Sequence, residues 1–137
     1  MLMGFLLDVF KEHKDDEAII WQNQVYKYSW LLEQTKIWSN IIQSNGIRSG
    51  MVTSIESDFS PNGVALFLAL IDNRCMLVPL TKSVETKKDE FRDIAEVEIS
   101  VSIDEKDNYN VIKHNREANH ALYQTLRQCE NPGLVLF

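Results

Sequence analysis

The sequence predicts an α/β fold in which a mainly parallel sheet is flanked by helices, with a small hairpin near the N-terminus. Three observations carry this reading. From residue 51 to residue 103, short aliphatic or β-branched runs alternate with helical patterns in the order strand, helix, strand, helix, strand. Right-handed crossovers turn such an order into a parallel sheet covered by helices. The 137 residues, 45% hydrophobic and 25% charged, fit one globular domain over 1–137 with one core. No internal repeat and no linker rich in Pro, Gly or Ser divides the chain.

The elements follow in order. Leu6, Val9 and Phe10 recur at helical spacing, so residues 3–13 predict an amphipathic helix that exits through the polar EHKDDE. Glu17 to Trp21 and Val25 to Tyr28 are β-prone runs parted by Gln22, Asn23 and Gln24, which predicts a hairpin. Ser29 can cap a helix whose apolar positions Leu31, Leu32, Thr35, Trp38, Ile41 and Ile42 share one face until Gly46 supplies a left-handed stop. Met51 to Glu56 reads as a strand. Ser60 followed by Pro61 is a helix start, because proline loses nothing at the first helical position and the serine oxygen can accept a free backbone N–H. That helix is apolar nearly all round, through Val64, Leu66, Phe67, Leu68, Leu70 and Ile71, and must be covered on most sides.

Met76 to Leu80 predicts a buried strand. Residues 84–95 predict one charged helix lying on Val84, Phe91, Ile94 and Ala95. Residues 97–103 alternate as a strand with one wetter face. A polar turn over 104–108, a short strand over 109–113 and a helix over 117–128 with Leu122, Tyr123 and Leu126 on one side complete the series. Asn131, Pro132 and Gly133 then turn the chain into Leu134 to Phe137, an apolar run suited to a strand buried on both faces.

The formal charge of −6 and the scatter of the fourteen basic residues disfavour a nucleic-acid partner, whose affinity comes from clustered Lys and Arg. Lys87, Lys88 and Arg92 are interleaved with Glu85, Asp89, Glu90 and Asp93, the pattern of a solvated helix face. The apolar opening has no basic residue before it and reaches Asp8 too soon for a signal peptide. No run approaches the roughly 18 apolar residues of a membrane span. A cytoplasmic protein is expected, with Cys75 and Cys129 as reduced packing thiols.

No catalytic, cofactor-binding or metal-binding residue is expected from motif chemistry. None of the five glycines belongs to a GxGxxG or GxxxxGK[ST] loop, and no serine sits in GxSxG. His114 and His120 are six apart, too far to face one ion from a single helical turn, and read as surface or edge histidines. Asp104 to Asn108 lacks the alternating ligands, central Gly and closing Glu of a calcium loop, and reads as a solvated turn. One segment is a candidate on general grounds. Ligands of open parallel sheets bind beyond the carboxyl ends of strands, and Ser57, Asp58, Phe59 and Ser60 directly follow the strand 51–56.

Three stretches together resemble the N-terminal region of the AMP-forming adenylating enzymes, the family of acyl-CoA synthetases, aryl-acid ligases and peptide-synthetase adenylation domains. Val25-Tyr26-Lys27-Tyr28-Ser29-Trp30-Leu31 resembles the family's L-T-Y-x-E-L start of an early helix. Asn45 to Val52, NGIRSGMV, is similar to its x-G-V-x-x-G-D-x-V turn into a strand. Ile71 to Leu80, IDNRCMLVPL, resembles L-K-A-G-A-x-Y-V-P-L. Met51 stands at the usual Asp, Arg74 at the usual Gly, Thr81 where Asp is common, and Trp30 at the Glu position. NPGLVLF resembles the strand that leads into the family's Ser/Thr/Gly-rich phosphate loop, so the resemblance implies an N-terminal piece that stops just before that loop.

For the complete enzyme, the resemblance implies ATP and Mg2+, a carboxylic acid that becomes an acyl-adenylate, and transfer to a thiol of coenzyme A or a carrier protein. This stretch alone is expected to need no cofactor and to be inactive, its main partner being the remainder of the ligase chain. The alternative is a stand-alone α/β binding or interaction module sharing the ligase scaffold. An uncovered last strand further predicts self-association of the 137-residue chain into a symmetric dimer. Light scattering is expected to show a mass above that of the monomer, and a monomer at high concentration would contradict it.

Overall fold

The helical and strand periodicities settle into two apolar layers, one on each side of a five-stranded sheet. The computed structural model describes residues 3–137. Met1 and Leu2, with which the apolar opening begins, lie outside the described residues. Helix α1 (Gly4–Glu12) leads to the antiparallel hairpin β1 (Glu17–Trp21) and β2 (Gln24–Lys27). Its turn has two residues rather than three: Gln22 and Asn23 take φ of +49° and +63°, the left-handed pair whose twist suits a two-residue hairpin loop. Helix α2 (Tyr28–Ser44) follows at once, with Lys27 at its cap position and no side-chain cap bond. Ser29, the expected cap, lies inside the first turn because β2 already delivers extended backbone to Lys27. Gly46, at φ +72°, ends the helix as expected, with the Ile47 N–H donating back to the Ile42 carbonyl at 3.1 Å.

The sheet order is β6-β5-β3-β4-β7. Strand β3 (Val52–Glu56) is central and pairs in parallel with β4 (Met76–Pro79) and β5 (Ile99–Ile103). Strand β6 (Tyr109–Lys113) closes one edge antiparallel to β5, and β7 (Gly133–Leu134) closes the other parallel to β4. Helix α3 (Pro61–Asp72) connects β3 to β4, and its start is built as the sequence predicts: Pro61 is the first residue and Ser60 Oγ accepts from the Gly63 N–H at 3.1 Å.

Alternate strand residues feed the two layers. On one face Ile55, Leu77, Ile99 and Val101 meet Leu31, Trp38 and Ile42 of α2 and Ala65, Leu66, Ala69 and Leu70 of α3. On the other, Val52, Met76 and Val78 lie under Phe91 of α4 (Lys88–Ile94) and Tyr123 and Leu126 of α5 (Ala121–Gln128). Tyr123 Oη donates to the Ala95 carbonyl at 2.7 Å, and Arg127 donates from Nε to Gly50 and from Nη1 to Ala118, both carbonyls at 2.8 Å. Its Nη2 meets Glu98 Oε1 at 3.0 Å, and the same oxygen accepts the Val52 N–H at 2.9 Å. Helix α5 is thus tied to the first residue of the central strand.

Four expectations change. The helix over 84–95 divides into a 3₁₀ stretch (Lys82–Lys87), broken at Val84, and the short α4. The stripe that α4 lays on the sheet runs through Phe91, Arg92 and Ala95, so Ile94 is left 61% exposed. The helix over 117–128 begins only at Ala121, where His120 Nδ1 accepts the Leu122 N–H at 3.1 Å; its inner stripe is Tyr123, Leu126 and Arg127, and Leu122 faces out. Cys129 is exposed at the end of α5 rather than packed, whereas Cys75 is buried. Leu134 to Phe137 is not a strand buried on both faces: β7 has two residues and sits at an edge, Val135 alone packs into the second layer, and Leu134, Leu136 and Phe137 are exposed. Phe137 stacks on Phe91 at 4.1 Å between centroids.

Candidate functional site

Strand β3 runs to β4 on one side while β5 returns on its other side, so the order of connections reverses between β3 and β5. Ligands of open α/β sheets occupy the crevice that such a reversal opens at the carboxyl ends. A cleft of about 680 Å³ lies there, between the loop after β3, the loop after β5 and the N-terminal hairpin.

Of the four residues the sequence singles out, Ser57, Asp58 and Ser60 line the cleft. Phe59 leaves it and packs edge-on against Phe67, 6.1 Å between centroids. The loop is held tightly by its own bonds: the Asp58 carbonyl accepts from the Ser60 N–H at 2.7 Å and from Ser57 Oγ at 2.6 Å. Asp58 Oδ1 accepts the Lys82 N–H at 3.2 Å. The Lys82 ammonium pairs with Glu105 across the mouth, a contact that raises its pKa. Asp104 Oδ1 accepts the Asn108 N–H at 2.9 Å and the Lys106 N–H at 2.8 Å, and the backbone donors hold its carboxyl below the usual range. The solvated turn over 104–108 is therefore one wall of the cleft.

The opposite wall is aromatic and was silent in the sequence. Trp21, Tyr26 and Trp30 come from β1, β2 and the first turn of α2, the Tyr26 and Trp30 rings 4.7 Å apart. Behind them Asn62 Oδ1 accepts from Gln34 Nε2 at 2.8 Å and from Trp38 Nε1 at 3.2 Å. The only hint was that two aromatics flank a predicted turn and a third opens the next helix, a spacing that core packing explains as readily. Among the described residues no three of His, Cys, Asp and Glu gather to hold a metal ion.

A buried polar network gathers at the carboxyl end of β3, where α4 packs on the sheet. Glu56, the last residue of β3, is 9% exposed, and Arg92 of α4 binds it through two nitrogens, Nε donating to Oε2 at 2.8 Å and Nη2 to Oε1. Ser54 Oγ lies 2.7 Å from Glu56 Oε2 and 2.7 Å from Ser100 Oγ, which lies 2.6 Å from His114 Nε2. A hydroxyl has one proton to give. Ser54 Oγ donates to the Glu56 carboxylate, and Ser100 Oγ lies between Ser54 and His114. Arg92 is thus an anchor of the core and not part of a solvated face, and on the wetter face of β5 Ser100 is buried while Glu98 and Ser102 are half-buried. Burial alone would raise the Glu56 pKa, but the hydrogen bonds from Arg92, Ser54 and Ser100 bring it down to about 2. Burial, then the charges of Arg92 and Arg116, push His114 below its ordinary value.

Two consequences are measurable. A Cβ at Gly63 would lie 2.7 Å from the Asp58 carbonyl oxygen, so Gly63→Ala should destabilise the fold by about 1–2 kcal/mol although Ala is the better helix former by about 1 kcal/mol. Urea denaturation checks this, and a more stable variant would contradict the tight loop. For pH, both shifts are downward. His114 favours folding fully above about 6.5 and loses that contribution as pH falls toward its lowered value; Glu56 favours folding above 4.5 and loses its share between 4.5 and about 2. Urea midpoints should fall in two stages on acidification, and Glu56→Gln should flatten the lower stage, worth roughly 2–3 kcal/mol.

No family model matches the chain, and comparison with curated proteins finds no match. Solved structures do match. The N-terminal subdomain of Klebsiella oxytoca NpsA aligns at 24% identity and TM-score 0.68 over 96% of this chain and 37% of its own. The same subdomain in complex with 3-hydroxyanthranilyl-AMSN aligns at 25% identity and TM-score 0.63, over 74% and 27%. NpsA-ThdA, an artificially fused adenylation–PCP di-domain of a K. oxytoca NRPS, aligns at 18% identity and TM-score 0.68, over 98% and 22%. The chain therefore spans about a quarter to a third of those proteins. Arg74, at the position where the sequence resemblance has Gly, takes φ +60°, the left-handed conformation that such a glycine would supply. The chain is folded as the N-terminal part of an AMP-forming adenylating enzyme.

Proposed function

We propose that the chain is the N-terminal portion of a cytoplasmic AMP-forming ligase that joins a carboxylic acid to a thiol. The observation that carries this reading is the match of nearly the whole chain to the NpsA N-terminal subdomain, with the resembling motifs in the same order along the sequence. In the complete enzyme a carboxylate oxygen attacks the α-phosphorus of ATP, the bond to pyrophosphate breaks, and an acyl-adenylate forms. A thiol then attacks the acyl carbon and AMP departs. The fused adenylation–PCP relative favours a carrier arm as the acceptor, with coenzyme A as the other thiol of this chemistry.

The residues described here do not fit ATP and magnesium. They include no glycine-rich phosphate loop and no gathered metal ligands, and the cleft at the carboxyl ends carries more acid than base. The 137 residues frame the sheet and, through Ser57, Asp58 and Ser60, the border of the crevice; chemistry belongs to residues beyond them. A stand-alone binding module is the second reading, favoured by the size of the cleft alone.

ATP–pyrophosphate exchange across a panel of carboxylic acids tests the proposal. The complete product of the reading frame should exchange with at least one acid class, and the 137-residue chain with none. Calorimetry of that chain with ATP and Mg2+ should show no binding; micromolar binding would overturn its silence, and a complete product with no exchange would favour the module.

A further inference from the structure

We propose that the cleft at the carboxyl ends of β3 and β5 is a binding site for a small organic cation with an aromatic or apolar body, an amine or quaternary ammonium. The inference does not rest on the ligase reading.

The first argument is the wall. Trp21, Tyr26 and Trp30 all line one cavity of about 680 Å³, a size that suits small-molecule ligands. Aromatic faces attract cations through their quadrupole, and rings set at an angle, as Tyr26 and Trp30 are at 60°, offer a cation more than one face. Trp30 also packs against the first core layer, but Trp21 and Tyr26 belong to neither layer and stand half-buried at the rim of the cavity.

The second argument is the charge on the facing wall. Asp58, Asp104, Glu105 and Asp107 line the cleft against Lys82 and Lys106, and no arginine takes part. Lys82 is already paired with Glu105, and Asp104 is kept anionic by backbone donors. The surplus is negative, so a phosphate or carboxylate is repelled and a cation drawn in. The third is a spare polar handle. Asn62 uses Oδ1 for both Gln34 and Trp38, which leaves the Asn62 Nδ2 donors and Gln34 Oε1 without a partner among the described residues. A donor and an acceptor side by side can fix the orientation of a polar group on the ligand body.

The anionic reactants of acid activation are the wrong sign for this cleft. The proposed ligand is therefore not one of those reactants, and its contacts come from residues of this chain.

The chain's three tryptophans make the test direct, because Trp21 and Trp30 line the cleft and Trp38 donates to Asn62 just behind it. Benzyltrimethylammonium, benzyl alcohol and phenylacetate are titrated into the 137-residue chain, with tryptophan fluorescence and the three indole N–H resonances as readouts. The cation should quench the fluorescence and shift indole resonances with saturation at millimolar concentration or below, and phenylacetate should bind at least about tenfold more weakly. Trp21→Leu should weaken the cation about fivefold. Asp107→Asn, on an exposed loop where the fold is not at risk, should weaken it about twofold and leave benzyl alcohol unchanged. Absence of saturable quenching, equal binding of phenylacetate, or unchanged cation affinity in both variants would each overturn the proposal.

Discussion

The buried ion pair between Glu56 and Arg92 is the constraint on which the upper half of the molecule depends. A carboxylate at the end of the central strand is costly to bury unless its oxygens are filled, and here two nitrogens of Arg92 and the Ser54 hydroxyl fill them. To deliver Arg92, α4 must lie on the second face of the sheet with its 91–92–95 stripe inward. That placement turns Ile94 outward and breaks the helical run at Val84. Arg92 in turn receives Arg116 on its carbonyl at 3.1 Å, so the segment between β6 and α5 is hung from the same helix.

The hydroxyls of Ser54 and Ser100 carry this network toward the edge of the sheet. One central carboxylate is thus linked through two serines to a histidine just beyond β6, two strands away in the order β3-β5-β6. The residue after Glu56, Ser57, is the first of the β3 loop to line the cleft.

Much of the framework was legible because it rests on local rules. Ser60 with Pro61, Gly46 at its left-handed stop, and the aliphatic strands 52–56 and 76–79 act through backbone geometry and periodicity that neighbours in sequence express. What was not legible depends on partners far apart in the chain. Nothing near Arg92 says that Glu56, 36 positions earlier, will turn it inward, and the alternation of 97–103 does not say that Ser100, alone on the wetter face, will be buried against Ser54 and His114. The same holds for the cleft: Ser57, Asp58 and Ser60 could be placed by the general rule for parallel sheets, but Trp21, Tyr26 and Trp30 reach it only because the hairpin folds back over strand ends formed later in the chain.

The strand order carries a consequence for how such a chain comes together. Every strand after β3 is laid against an edge provided by an earlier one: β4 and β5 on the two flanks of β3, β6 on β5, β7 on β4. No ladder has to be reopened to admit a latecomer between two partners. The sheet can therefore grow outward from its first parallel strand in the direction of translation.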